Sequence, residues 1–194
     1  VMENVSDERT ADIVEEMQPD EAADFLNALD DERRADIVEQ MEPEEMLAVQ
    51  ELLAHPENTA GALMTTKFIT LPPGITCVEA TRQLRASPEA KESEQIYYIY
   101  VTDADGKLIG VFSLSDLLFA EPESLVDSIM HKRPVRVTVA THREQVLELI
   151  AKYNLLAIPV LDKEGVMRGI VTADDALDAV LPEELKVKLP RMFR

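Results

Sequence analysis

The sequence predicts an α plus α/β protein: an N-terminal α-helical solenoid repeat, then two tandem copies of a β-α-β-β-α module. Three observations predict it. The phrase Ala11-Asp12-Ile13-Val14-Glu15-Glu16-Met17 returns 24 residues later as Ala35-Asp36-Ile37-Val38-Glu39-Gln40-Met41, the mark of a repeated helical unit. A second phrase, Gly110-Val111-Phe112-Ser113-Leu114-Ser115-Asp116, returns 59 residues later as Gly169-Ile170-Val171-Thr172-Ala173-Asp174-Asp175. Between the two kinds of repeat, apolar spacing changes from helical to strand-like.

Taken in order, residues 1–56 read as helices only. Each copy of the first phrase is followed by a proline, Pro19 or Pro43, which stops one helix and opens the next at its first position. Asp20-Glu21 then starts a helix that carries Ala22, Phe25, Leu26 and Leu29 on one face, and Asp30-Asp31 restart the pattern. Such repeats are interaction surfaces, and their acids read as solvated faces. Residues 57–66 form a junction, with small side chains at 60–62 that permit close backbone packing.

The first module spans 67–126. A strand is expected over Phe68–Leu71, stopped by Pro72-Pro73-Gly74. A helix capped by Thr76 follows over Val78–Ala86, then an aromatic strand Ile96–Val101, a strand Lys107–Phe112 and a helix Leu114–Phe119. The second module, 127–181, repeats the order: strand Val135–Val139, helix Glu144–Tyr153, strands Ala157–Leu161 and Val166–Val171, helix Asp174–Val180. Asp103-Ala104-Asp105-Gly106 lacks the third acid and closing Glu of a calcium loop, so it reads as a hairpin turn, matched by Asp162-Lys163-Glu164-Gly165. The tail 182–194 is basic, with Lys186, Lys188, Arg191 and Arg194.

Composition narrows the function. The chain has 194 residues, 46% hydrophobic and 29% charged, as expected of a globular protein. Its 38 acids against 19 bases leave a net charge of −19, which argues against a nucleic-acid partner and against anionic lipid. The surplus either keeps the protein soluble or attracts cations. Cys77 is the only cysteine, which excludes an internal disulfide and suggests a reducing, cytoplasmic setting. No signal peptide and no apolar run long enough to span a bilayer is visible, so no insertion of the chain itself is expected. It begins at Val1, which reads as a piece of a longer protein.

The twin phrase carries the chemistry. Ser113 and Thr172 sit at helix N-caps, and Asp116 and Asp175 fall three residues on, where a carboxylate can close a capping box. One copy would be an ordinary strand-to-helix corner; two copies indicate a duplicated module. His55, His131 and His142 share no metal-ligand spacing, and no glycine-rich phosphate loop or nucleophile–base pair appears, so no catalytic residue is expected and the chain is not read as an enzyme.

The twin modules resemble a tandem CBS-domain pair. With the helical repeat and the junction Asn58-Thr59-Ala60-Gly61-Ala62-Leu63-Met64-Thr65, the chain resembles the cytosolic region of the MgtE magnesium transporters over about residues 7–181. Ile96-Tyr97-Tyr98-Ile99-Tyr100-Val101 and Gly169–Asp178 are close to that family's phrasing. The resemblance implies a homodimer through the CBS domains and a transmembrane transport domain in the same or a partner chain. It also implies Mg²⁺ held between acidic faces, gating transport. The matching metal positions are Glu144, Asp174, Asp175 and Asp178, with Glu183 just beyond. Asn154 stands where the transporters offer another acid, and the short, Pro-broken basic tail departs from their long helix, as in soluble relatives lacking a transport domain.

The alternative is an adenine-nucleotide sensor acting on a partner protein. CBS pairs hold ATP, ADP or AMP with the ribose on the Ser/Thr and Asp of the twin phrase, here Ser113 with Asp116 and Thr172 with Asp175. Ser115 and Leu155 replace an Arg and an aromatic ring of nucleotide-binding transporters, leaving His131, Lys132 and Arg133 for the phosphates.

Overall fold

The structure, a computed structural model, describes residues 6–92 and 96–179. Four helices open it: α1 (Asp7–Glu15), α2 (Pro19–Asn27), α3 (Asp31–Gln40) and α4 (Pro43–Leu53). Ser6 and Asp30 cap α1 and α3, accepting from Arg9 N–H and Arg33 N–H, and Pro19 and Pro43 occupy the first turns of α2 and α4, where the missing N–H costs nothing. The 24-residue period puts like on like: α1 packs against α3 and α2 against α4.

The junction is a short helix, α5 (Ala60–Leu63), bound to the second module rather than the first. Ala60 N–H donates to Thr141 O (2.7 Å), Gly61 N–H to Val139 O (3.0 Å) and Arg143 N–H to Asn58 O (3.0 Å).

The first module contains β1 (Thr70–Leu71), α6 (Cys77–Ala86), α7 (Pro88–Glu92), β2 (Tyr98–Thr102), β3 (Leu108–Ser113) and α8 (Leu114–Phe119). A one-turn helix, α9 (Val126–Ile129), leads to β4 (Val137–Thr138), α10 (Arg143–Tyr153), β5 (Ala157–Leu161), β6 (Met167–Thr172) and α11 (Ala173–Asp178). Each module forms one three-stranded sheet: β1 runs parallel to β2 and β2 antiparallel to β3, and β4, β5 and β6 repeat this with a bulge at the same place. The leading strands are shorter than the apolar runs suggested, because only two residues of each reach a partner. The helices α7 and α9 are additions to the expected pattern. The tail lies outside the described residues.

The two modules are crossed. Thr65, on the way into the first module, exchanges backbone bonds with Ile170 of β6 in the second (2.9 and 3.1 Å). His131, on the way into the second, does the same with Val111 of β3 in the first (3.1 and 2.8 Å). The glycines of the twin phrase make this possible. A Cβ on Gly169 would stand 2.6 Å from Thr65 O, and one on Gly110 2.7 Å from Met130 Sδ. The hairpin turns also meet each other. Met167 N–H donates to Gly106 O (3.0 Å) and Leu108 N–H to Gly165 O (3.3 Å), so the two hairpin turns form part of the seam. Asp103 and Asp162 each accept two N–H groups of their own turn, the role expected of turn residues.

The core follows the same partition. Leu26, Ile37 and Leu52 of the helical repeat share one apolar cluster with Met64 of the junction and Ile158 and Val171 of the second module. The first module has its own core around Ile99, Val101, Phe112 and Val126, and Tyr100, Leu161 and Met167 fill the seam.

Candidate functional site: an acidic cleft between the helical repeat and the second module

Docking of the repeat leaves a cleft of about 490 Å³. The N-terminal turn of α2, the segment Thr65–Ile69, Tyr97 and the corner between β6 and α11 line it. Its chemistry is one-sided: Glu15, Asp20, Glu21, Glu45, Asp174 and Asp175 face it, with Lys67 as the one cation among the described lining residues.

Asp20 is the most perturbed group there. Burial, then the charge of Asp175, pushes its carboxyl up to about 7; Glu21 adds to this, and its own backbone N–H and the Thr65 hydroxyl work against it. Its Oδ1 is sealed from solvent and has no hydrogen-bond partner in the protein. Asp175 accepts from the Thr172 hydroxyl, and its N–H donates to Thr172 Oγ1 at 3.3 Å. Burial nevertheless raises its pKa, and the nearby charges of Asp174, Glu21 and Asp178 raise it further. The Tyr97 hydroxyl is raised by burial and then by the charges of Asp174 and Asp175, and Tyr97 lines the same cleft.

The equivalent corner of the first module behaves in the opposite way. Asp116 accepts from Ser113 N–H (2.8 Å) and Ser113 Oγ–H (2.7 Å), and its own N–H donates to Ser113 Oγ (3.1 Å). These bonds hold its pKa below the usual carboxylate range, with help from exposed His131. Lys132 and Arg133 beside that histidine are exposed as well.

Of the metal positions that the resemblance implied, the structure brings Asp174 and Asp175 into the cleft, with Asp178 exposed close by on α11. Glu144 lies elsewhere, exposed at the start of α10 and 3.5 Å from Arg143; its own backbone N–H is the main influence lowering its pKa. Glu183 lies outside the described residues. Asn154 ends α10 in the left-handed conformation (φ 49°), a place that suits Asn better than a larger acid. Ser115 is exposed and Leu155 half-buried. Asp20, Glu21, Thr65, Lys67 and Tyr97 were not singled out by the sequence as site residues. Asp20-Glu21 read there only as the acids of a first helical turn, and the next repeat carries Glu44-Glu45 at the same place, so local sequence does not tell them apart.

Among the described residues, no three acidic, His or Cys side chains converge as a ready ligand set, and no helix is long and apolar enough to cross a membrane. Family models match the MgtE intracellular N domain at residues 1–58 and the CBS domain at 60–123 and 126–182. The chain belongs to the MgtE family. It is homologous to the cytosolic region of MgtE and carries that region's N domain and tandem CBS pair. The magnesium transporter MgtE of Thermus thermophilus is 43% identical over 135 residues, 70% of this chain and 30% of the relative. The chain thus spans under a third of the curated transporters that it matches. Among solved structures, the soluble part of a magnesium transporter matches with a TM-score of 0.86 at 36% identity, covering 91% of this chain and 68% of that one. The cytosolic domain of the Mg²⁺ channel MgtE in complex with ATP matches with a TM-score of 0.70 at 33% identity, covering 91% and 81%.

Proposed function

We propose that this chain is the magnesium-responsive regulatory region of an MgtE-like transporter, in which the helical domain closes on the second CBS domain across the acidic cleft. The observation that carries this reading is Asp20 on one body set against Asp175 on the other, each carboxyl raised in a shared cleft. The donor set fits the ion: hard carboxylate and hydroxyl oxygens line the cleft, with no His or Cys among the described lining residues. Mg²⁺ keeps several of its waters, so two facing carboxylates suit it better than they would suit an ion needing a full protein cage. Asp20 and Asp175 would hold it, with Asp174 and Asp178 extending the acidic face. When bound, the ion supplies positive charge that offsets both carboxyls. Unscreened, Asp20 and Asp175 repel, and the docked arrangement loses population to an open one.

The region works in the cytoplasm, as a homodimer through its CBS domains, on a transmembrane transport domain in the same or a partner chain, and its role is regulatory, not catalytic. Small-angle scattering of the chain, titrated with Mg²⁺ at constant ionic strength, tests it. The radius of gyration is expected to fall with Mg²⁺ and not with the matching K⁺ control, and Asp20→Asn to close the molecule without Mg²⁺. A profile indifferent to Mg²⁺ sinks the reading.

A second reading has its own observation. The Ser113–Asp116 corner is held ionised, stands clear of the helical domain's cleft, and has His131, Lys132 and Arg133 at hand for phosphates. An adenine nucleotide placed there would tune the Mg²⁺ response. The titration repeated with ATP, and with Asp116→Ala, separates the two ligands.

A further inference from the structure

The helical domain meets the junction at one very close contact. Just past the end of α4, His55 N–H donates to Leu52 O (3.1 Å), which holds that residue to the last turn of the helical domain. Gly61 lies buried in α5, its N–H given to Val139 O of the second module (3.0 Å). The His55 imidazole lies against it. A Cβ on Gly61 would stand 2.5 Å from the ring's Cγ and 2.8 Å from both Cδ2 and Nδ1, closer than packed atoms approach. The chain between the two is tied as well: Thr59 N–H (3.0 Å) and Thr59 Oγ1–H (2.7 Å) both donate to Pro56 O.

The other module shows what that space otherwise holds. α9 stands to the first module as α5 stands to the second. Val126 N–H donates to Ile75 O (3.0 Å) as Ala60 N–H donates to Thr141 O (2.7 Å), and Leu125 bridges Thr76 as Thr59 bridges His142. Met130 and Met64 then follow, each against the glycine of a twin phrase. In this match Gly61 corresponds to Asp127, whose carboxylate accepts from Gly74 N–H (2.7 Å). The position thus accommodates a side chain in one copy, and lacks one in the copy where the helical domain arrives.

We infer that His55 on Gly61 is the pivot of the helical domain: the imidazole takes the place of a side chain on α5 and sets the angle at which α2 reaches the corner between β6 and α11. α4 packs against both α2 and α5, so a turn at His55 moves Asp20 relative to Asp175. His55 does not line the cleft and acts as a positioning residue, through the backbone of α5. The inference rests on the closing motion proposed above, and not on the ion that drives it.

Small-angle scattering of the whole chain, from chelator to saturating Mg²⁺, tests it on Gly61→Ala, His55→Ala and the double variant. Gly61→Ala puts a methyl where the ring lies. It is expected to enlarge the radius of gyration at saturating Mg²⁺, with closure needing at least about fivefold more Mg²⁺ than the wild type. His55→Ala removes the support and should shift closure the same way. In the double variant the methyl has room, and most of the Gly61→Ala shift should vanish. Thermal melts and hydrogen exchange at Ala60 and Gly61 N–H check that α5 stays docked. A Gly61→Ala profile that overlays the wild type, an opening that His55→Ala does not reverse, or lost protection at Ala60 and Gly61 overturns the inference. Should Gly61→Ala not fold, His55→Ala carries the test: severalfold weaker closure supports the pivot, and overlay with the wild type overturns it. A wild type indifferent to Mg²⁺ removes the magnesium reading alone, and the pivot is then read from the radius of gyration of the same variants in metal-free buffer.

Discussion

Asp116 and Asp175 hold the same place in two copies of one phrase, yet their surroundings pull their acidities apart. Asp116 gathers three hydrogen bonds with Ser113 and a nearby histidine, and stays ionised; Asp175 keeps its bond from Thr172 but lies under the helical domain among other acids. Asp20 pays most for that contact. Its folded pKa, about 7, lies above the ordinary 3.8, so the folded state holds a proton that the unfolded state has released. Stability contributed by the protonated form is therefore present at low pH and is lost as pH rises from about 4 through about 7. Three units correspond to at most about 4 kcal/mol. In metal-free buffer the chain is expected to melt higher at pH 5 than at pH 8, a window above the range in which Asp116 titrates. Asp20→Asn should remove most of that difference, and melts of the two proteins side by side check it.

At the scale of elements, the glycines and caps of the twin corners do separate jobs. Gly169 exists for the close approach of Thr65, because a Cβ there meets a backbone oxygen that cannot swing aside. Gly169→Ala should cost about 1–3 kcal/mol, as overpacking does, and should loosen the junction first. Hydrogen exchange at Thr65 and Ile170 N–H would report it, while Val111 and His131, the matching pair, stay protected. Thr172 is the N-cap of α11, and its loss in Thr172→Ala should cost about 1 kcal/mol, close to the cost of Ser113→Ala in α8. Denaturant unfolding of the two variants compares them. A much larger cost at Thr172 would mean that Asp175 needs that hydroxyl to stay folded under the helical domain.

At the scale of the whole molecule, the packing leaves apolar side chains uncovered around α8. Leu118 and Phe119 on α8 are 76% and 85% exposed, and Leu114 and Leu125 are partly bare near them in sequence. Exposed apolar side chains grouped in this way suit a contact with another molecule. We propose that in the homodimer they form part of the contact between CBS domains. Leu118→Glu with Phe119→Glu should shift the mass measured by light scattering toward the monomer without lowering the melting temperature. A mass unchanged by both substitutions would place the dimer contact elsewhere.

What the sequence determined by itself was everything that is local or repeated. Period and proline placement gave the four helices of the repeat. Thr76, Ser113 and Thr172 gave three caps, and the twin phrase gave the duplicated module, because caps, turns and amphipathic faces depend on neighbours a few residues away. The resemblance to the MgtE cytosolic region rested on the order of those pieces and stands. Only the tertiary structure decided which copy does what. It gave the junction to the second module, joined two hairpin turns into a seam, and set α2 on one twin corner and not on the other. Asp20 could not be picked out from Glu44-Glu45 by reading, since its acidity comes from burial and from Asp175, which lies 155 residues away along the chain. Local signals fix elements, but a pKa and a cleft are set by what the fold brings near.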